Sequence, residues 1–172
     1  MDERYPIGKF KEPDFLTDEL VTEWIQSIST YPQSLTEIAG SLNDEEQQLT
    51  YREGAWTIKQ LVHHIADAQI NVYTRIKLAL TEDNPQIKPF EENSWATLAD
   101  CSLPIITSLQ IIEGLHARLA YLFEKLTKDQ LERKYTHLET GVQTILSTLA
   151  FSTWHVNHHL AHIQNALATR TT

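Results

Sequence analysis

Four stretches of this sequence repeat their apolar residues every three or four positions, the period of a helix that buries one stripe. The first follows Thr17, in TDELVTEWIQSISTYPQSLTEIAGSLN, with Leu20, Trp24, Ile28, Leu35, Ile38 and Leu42 on the stripe. Thr17 can cap it, and the acids Asp18 and Glu19 suit the positive end of the helix dipole. Pro32 falls inside this stretch and predicts a kink or a break into two helices, since a prolyl nitrogen has no proton to donate. The second opens on a capping box, Thr57 with Gln60, and runs to about Leu80 along Ile58, Leu61, Ile65, Val72, Ile76 and Ala79. The third follows Pro104, a favourable first helical residue, from Ile105 to about Leu126, and the fourth runs from about Thr144 to Thr169. Strand signal is almost absent. Four amphipathic stripes close economically on one another, so the expected fold is all-α, an antiparallel four-helix bundle.

The intervening segments read as connections within one domain. Residues 1–16, with Pro6, Gly8 and Pro13, form an irregular lead-in. Residues 43–55 are polar and suit one short helical turn plus an extended piece around Leu49 to Arg52. Thr127 with Gln130 offers a capping box for a short helix, and Tyr135 to Val142 a brief extended turn. The stretch TEDNPQIKPFEEN, residues 81–93, is a long connection with two prolines, suited to a crossover or a lid. No repeat or linker divides the chain, so residues 1–172 are expected to form a single domain.

Charge and cysteine content narrow the partners. With 14 Lys and Arg against 23 Asp and Glu, the net charge of −9 disfavours nucleic acid. No apolar run approaches the roughly 18 residues of a membrane span, and the N-terminus does not resemble a signal peptide. No membrane partner is expected, and a soluble, cytoplasmic protein is. Cys101 is the single cysteine, which excludes an intramolecular disulfide and a cysteine-based metal cage.

Histidine is the unusual component: there are 8, against 5 glycines. Six fall in two clusters, His63 and His64 in the second helix, and His155, His158, His159 and His162 in the fourth. The last four share one helical face, and two pairs have the i, i+4 spacing that lets both imidazoles reach one ion: His155/His159 and His158/His162. Two ligands from one helix and a third from a facing helix make a natural tris-histidine site in a bundle. Buried neutral imidazoles need a partner for each ring nitrogen, which makes four of them hard to explain as core alone. His63 and His64 point roughly 100° apart, so at most one joins a given centre. His64 has the better company, with Asp67, Asn71 and Arg75 along a polar stripe, whereas His63 is expected to cap an interface or meet solvent. Spacing alone does not choose between the two pairs of the fourth helix.

Three segments, RYPIGKF, YREGAWTIKQLVHHIADAQINVYTRIKLALTEDNPQIKPF and WHVNHHLAHI, resemble the YfiT group of the DinB-like superfamily. They occur in order and span most of the chain. Members of that group are four-helix bundles commonly named as metal-dependent hydrolases. The resemblance implies a long connection between the second and third helices, a homodimer, and a divalent metal ion such as zinc or nickel. Its metal pattern is the second histidine of an HH pair with an HxxxH pair closing the last motif. Carried onto this chain, that pattern implies His64, His158 and His162. The wider superfamily is similar to enzymes that use low-molecular-weight thiols, so a thiol is a possible co-substrate.

An incompletely ligated ion of this kind can acidify a water for hydrolysis or stabilise a substrate thiolate for S-transfer to a small molecule. Neither histidine motif carries a glutamate where a zincin-type hydrolase places its base, which mildly favours the thiolate. Asp67 is the near candidate for that base, or for orienting a ligand histidine. Asn71 and Arg75 are candidates for holding an anionic substrate, with Arg52 a weaker one; Trp56 and Trp154 read as packing residues. The rival class is a non-catalytic bundle stapled by metal and acting as a dimeric stress-response or interaction module. A structural staple would close the shell with a fourth protein ligand.

Overall fold

A computed structural model describes residues 2–13 and 15–170. Met1, Asp14, Thr171 and Thr172, which belong to the expected domain and its lead-in, lie outside the described residues. Four long helices carry the fold: α1 (Asp18–Ala39), α3 (Ile58–Thr81), α5 (Ile106–Lys125) and α7 (Ile145–Ala168). Between them lie short helices α2 (Asp44–Gln47), α4 (Glu92–Trp95) and α6 (Lys128–Leu131), and strands β1 (Gln86–Ile87), β2 (Lys134–His137) and β3 (Gly141–Thr144). The start signals act locally as anticipated. Thr17 accepts from the Leu20 amide, and Thr57/Gln60 and Thr127/Gln130 form reciprocal capping boxes. No helix among the described residues is long and apolar enough to cross a membrane.

The expected bundle forms around Ile28, Leu35, Ile65, Ile112, Leu119, Leu149 and Ile163, with α1 and α3 each packed against both α5 and α7. Cross-helix pairs give the directions. His116 meets Ile28 while Lys128 meets Asp18, so α1 and α5 are antiparallel. His64 meets His155 while Gln69 meets Ser152, so α3 and α7 are antiparallel too. By contrast His63 meets Ser108 and Arg118 covers Tyr73, so α3 and α5 run the same way. The long connection after α3 is therefore a crossover that returns the chain to the end where α3 began.

That connection is not free of structure. Its β1 pairs in parallel with β2, Gln86 opposite Thr136, and β2 continues into an antiparallel hairpin with β3, Tyr135 opposite Gln143. Gly141, with φ of +79°, closes the hairpin turn in a conformation glycine adopts without strain. The sequence showed almost no strand signal because these strands are two to four residues long and depend on pairing across 50 positions of chain. Arg133 fastens the sheet to the bundle by donating to the Ala79 and Glu82 carbonyls at the end of α3.

Pro32 neither breaks α1 nor splits it: the helix is continuous from Asp18 to Ala39. The reason is tertiary. A proline at position 32 leaves the Ile28 carbonyl without its intrahelical donor, and His116 of α5 supplies one, its Nδ1 2.7 Å from that oxygen. The His116 ring is fully buried and stacks on Tyr31. Burial holds its pKa down to about 4, so it is neutral and donates a single proton. Replacing it by His116→Leu should cost about 1–3 kcal/mol by orphaning a buried carbonyl. In a Pro32→Ala background the restored amide takes over the carbonyl, and part of that cost should vanish. A double-mutant cycle in chemical denaturation measures the coupling, and purely additive losses would contradict the pairing.

Candidate metal centre

The antiparallel crossing of α3 on α7 brings His64 to His155 and His159. Their donor nitrogens lie within 4.8 Å of one another. Nε2 of His155 stands 3.4 Å from Nε2 of His64 and 3.2 Å from Nε2 of His159. Burial lowers the pKa of His64 to about 4 and of His155 to about 3, and drives His159 well below its ordinary value. The neighbouring rings oppose a second proton on His155 and His159 in the same direction. At neutral pH the three rings are uncharged and turn ring nitrogens toward one small volume. Converging lone pairs repel unless a proton or a cation lies between them, and imidazole donors of this kind fit a zinc or nickel ion.

A second group, His158, His159 and His162, shares His159 with the first. Its members are buried under aromatic rings and the lead-in: Trp154 stacks on His158 at 4.5 Å, Tyr5 approaches at 5.9 Å, and Tyr51 stacks on His162 at 3.8 Å. Trp154 also donates to the Gly8 carbonyl, and Phe10 meets Phe151 edge-on, which fastens the lead-in over this face. The set His64, His158 and His162, implied by the family pattern, is not one of the two groups that converge among the described residues. Residues 155 and 158 differ by about 60° around a helix. Here α7 is turned so that His155 and His159 face α3, while His158 faces Tyr5 of the lead-in and His162 faces Tyr51.

The other candidates separate into two sides of α3. His63 is buried rather than solvated and caps the contact with the segment leading into α5. Its Nδ1 is 2.7 Å from the Ser108 hydroxyl and its Nε2 3.1 Å from the Leu103 carbonyl. Asp67 lies on that side as well. Its carboxyl is raised to about 6 by burial and by Asp100, and it makes no side-chain hydrogen bond among the described residues. The Asn71 amide is committed to the Asp67 backbone carbonyl, 2.9 Å away. Arg75 lies on the other side, in the wall of a cavity of about 550 Å³. Phe90 and Phe151 line the same cavity and also stand against His64 and His155, at 6.3 and 5.7 Å, so the cavity adjoins the histidine cluster.

Sequence inspection missed most of that cavity. Glu92, Tyr135, His137 and Gln143 enter it from the crossover and the hairpin, segments with no helical period to mark a face. The Arg75 Nε is buried without a partner among the described residues. Its positive charge helps to hold down the pKa values of His155 and His137.

The sequence profile of the DinB superfamily matches residues 28–163. The chain belongs to the DinB superfamily. It is 48% identical over 167 residues to a protein of Halalkalibacterium halodurans that is provisionally named a metal-dependent hydrolase, covering 97% of this chain and 98% of the relative. A similarly named protein of Oceanobacillus iheyensis is 46% identical over 168 residues, covering 98% and 97%. Among solved structures, YfiT from Bacillus subtilis is described as a probable metal-dependent hydrolase with an unusual four-helix bundle topology. It superposes with a TM-score of 0.91 at 36% identity, covering 95% of each chain. A mycothiol-dependent maleylpyruvate isomerase shares the fold at a TM-score of 0.67 and 18% identity, covering 83% of this chain and 60% of the isomerase.

The depressed pKa values carry a stability consequence. Between pH 6.5 and about 4 the unfolded chain takes up protons that the folded His64, His116 and His158 refuse. The contribution of these rings to stability is therefore fully present above about pH 6.5 and falls as the pH drops toward 4, and His155 and His159 extend the decline to lower pH. Thermal melts of chelator-treated protein across this range should show the decline. A melting temperature constant from pH 7 to 4 would contradict the burial of neutral imidazoles.

Proposed function

We propose that the chain is a metal-dependent enzyme in which His64, His155 and His159 hold a divalent ion, zinc or nickel, beside a cavity that admits a small anionic substrate. The single observation behind this is the convergence of three neutral imidazoles from two helices at the edge of a cavity whose wall carries an arginine. A bound ion there supplies Lewis acidity, which lowers the pKa of a water or a thiol offered to it. The protein supplies the rest. Burial keeps the three rings unprotonated. Phe90 and Phe151 shield the cluster on its cavity side. The Arg75 guanidinium, half-buried with its Nε unpartnered among the described residues, is a cation that a carboxylate or phosphate could pair with in charge-assisted hydrogen bonds.

Hydrolysis is the reaction that the names of the relatives suggest. Thiol transfer is the second reading, and a feature of the site favours it: neither histidine group contains a carboxylate to act as a base. Asp67, the sequence candidate for that task, lies toward Asp100. A non-catalytic staple fits less well, because closed structural sites use four protein ligands and each group here has three.

Elemental analysis of protein purified without an affinity tag should find about one divalent ion per chain. His64→Ala, His155→Ala and His159→Ala should each strip it, whereas His63→Ala and His158→Ala should retain it. Loss in His158→Ala with retention in His155→Ala would move the centre to the other group. Metal-loaded protein should then be screened against esters and amides, and against small cellular thiols with a generic electrophile. Arg75→Gln should raise KM for anionic substrates about tenfold or more and leave metal content unchanged.

A further inference from the structure

If His64, His155 and His159 are the ligands, His162 is a fourth buried imidazole in contact with the centre and without a task in it. We infer that His162 is a positioning residue: it accepts the Nδ1 proton of His159 and so reserves the His159 Nε2 lone pair for the cation. This rests on the ligand assignment proposed above.

Each ring nitrogen of His159 faces another histidine. Its Nε2 is 3.2 Å from Nε2 of His155, inside the ligand group, and its Nδ1 is 3.3 Å from Nδ1 of His162, outside it. A neutral imidazole carries one proton, and a ring that offers one nitrogen to a cation must carry that proton on the other. Only one proton fits between the two Nδ1 atoms. If His159 donates it, its Nε2 is bare and points into the cluster. If His162 donates it, the His159 proton sits on Nε2 and blocks the site.

A cation held on the His159 Nε2 selects the first arrangement, because the ring must then carry its proton on Nδ1, where the nearest acceptor is His162 Nδ1. With its Nδ1 accepting from His159, His162 carries its own proton on Nε2. Nε2 itself is buried and makes no well-aligned hydrogen bond to the described residues. The ring plane is fixed by Tyr51, parallel to within 11° at 3.8 Å. Tyr51 is itself anchored near the bridge between Thr50 and Thr57 that precedes α3. Thus the segment that precedes α3 holds one imidazole, which sets the tautomer of a ligand on α7. Metal-bound histidines are commonly oriented in this way by an acceptor on their second nitrogen.

The test begins with metal-free, full-length protein labelled with 15N. Two-bond proton–nitrogen spectra assign the tautomer of each imidazole, and the wild-type protein should show His159 protonated at Nδ1 and His162 at Nε2. In His162→Leu the His159 proton should shift to Nε2, the form a free histidine side chain prefers. Zinc affinity, read by competition with a chromophoric chelator, should fall about 10- to 100-fold. His162→Gln, whose amide oxygen can accept in the same place, should recover most of that loss, which a purely space-filling role would not predict. Two results overturn the inference: His159 protonated at Nε2 in the wild type, or zinc affinity within twofold of wild type in a folded His162→Leu. The wild-type spectrum decides even if that variant fails to fold. If zinc affinity is indifferent to His64→Ala and His155→Ala, the ligand assignment has failed instead, and the spectra still report on the His159–His162 pair.

Discussion

A buried imidazole has two nitrogens and one proton, so it demands one donor and one acceptor from surroundings that hold little water. This bundle buries several such rings and answers the demand differently at each. His63 is satisfied across an interface by a hydroxyl and a carbonyl. His116 is spent on the carbonyl that Pro32 leaves open, which lets a proline sit inside an unbroken helix. Where α3 crosses α7, the rings have chiefly one another. Several acceptor nitrogens then converge with too few protons among them, and a cation is the natural completion.

The rest of the molecule serves that crossing. The like-directed α3 and α5 require a chain reversal after α3, and the crossover that makes it also carries Phe90 and Glu92 to the cavity beside the cluster. The β2–β3 hairpin pins the crossover through parallel pairing with β1 and contributes Tyr135 and His137 to the same cavity. Tyr5 of the lead-in covers His158 and Tyr51 covers His162, and the lead-in is held by the Trp154 indole and by Phe10, which reaches the cavity wall. One face of the α7 histidine stripe is thus turned toward a substrate-sized space, and the other is sealed.

Much of the bundle was legible along the chain because helices declare themselves locally. The 3.6-residue period and the threonine caps at 17, 57 and 127 depend only on neighbours a turn away. Pro32 misled for the complementary reason: its local effect is real, and the donor that offsets it, His116, lies 88 positions along the chain from the Ile28 carbonyl it reaches. Of the short strands only an extended turn over Tyr135 to Val142 was legible, because each strand is too brief to show alternation before it pairs. Within the site, the choice of His64 over His63 followed from the polar stripe beside it. The choice between the two i, i+4 pairs of α7 did not follow from any spacing, since both pairs satisfy the same local geometry.

What the amino-acid sequence determined alone is the set of helices, their buried stripes, and a concentration of histidine on two of them. Those properties arise from contacts within a few residues. Tertiary structure decided how far α7 turns about its own axis against α3, a matter of about 60° between residues 155 and 158. That angle is set by the packing of the whole core and by the lead-in that covers the remaining face. It brings His155 and His159, rather than His158 and His162, into one group with His64.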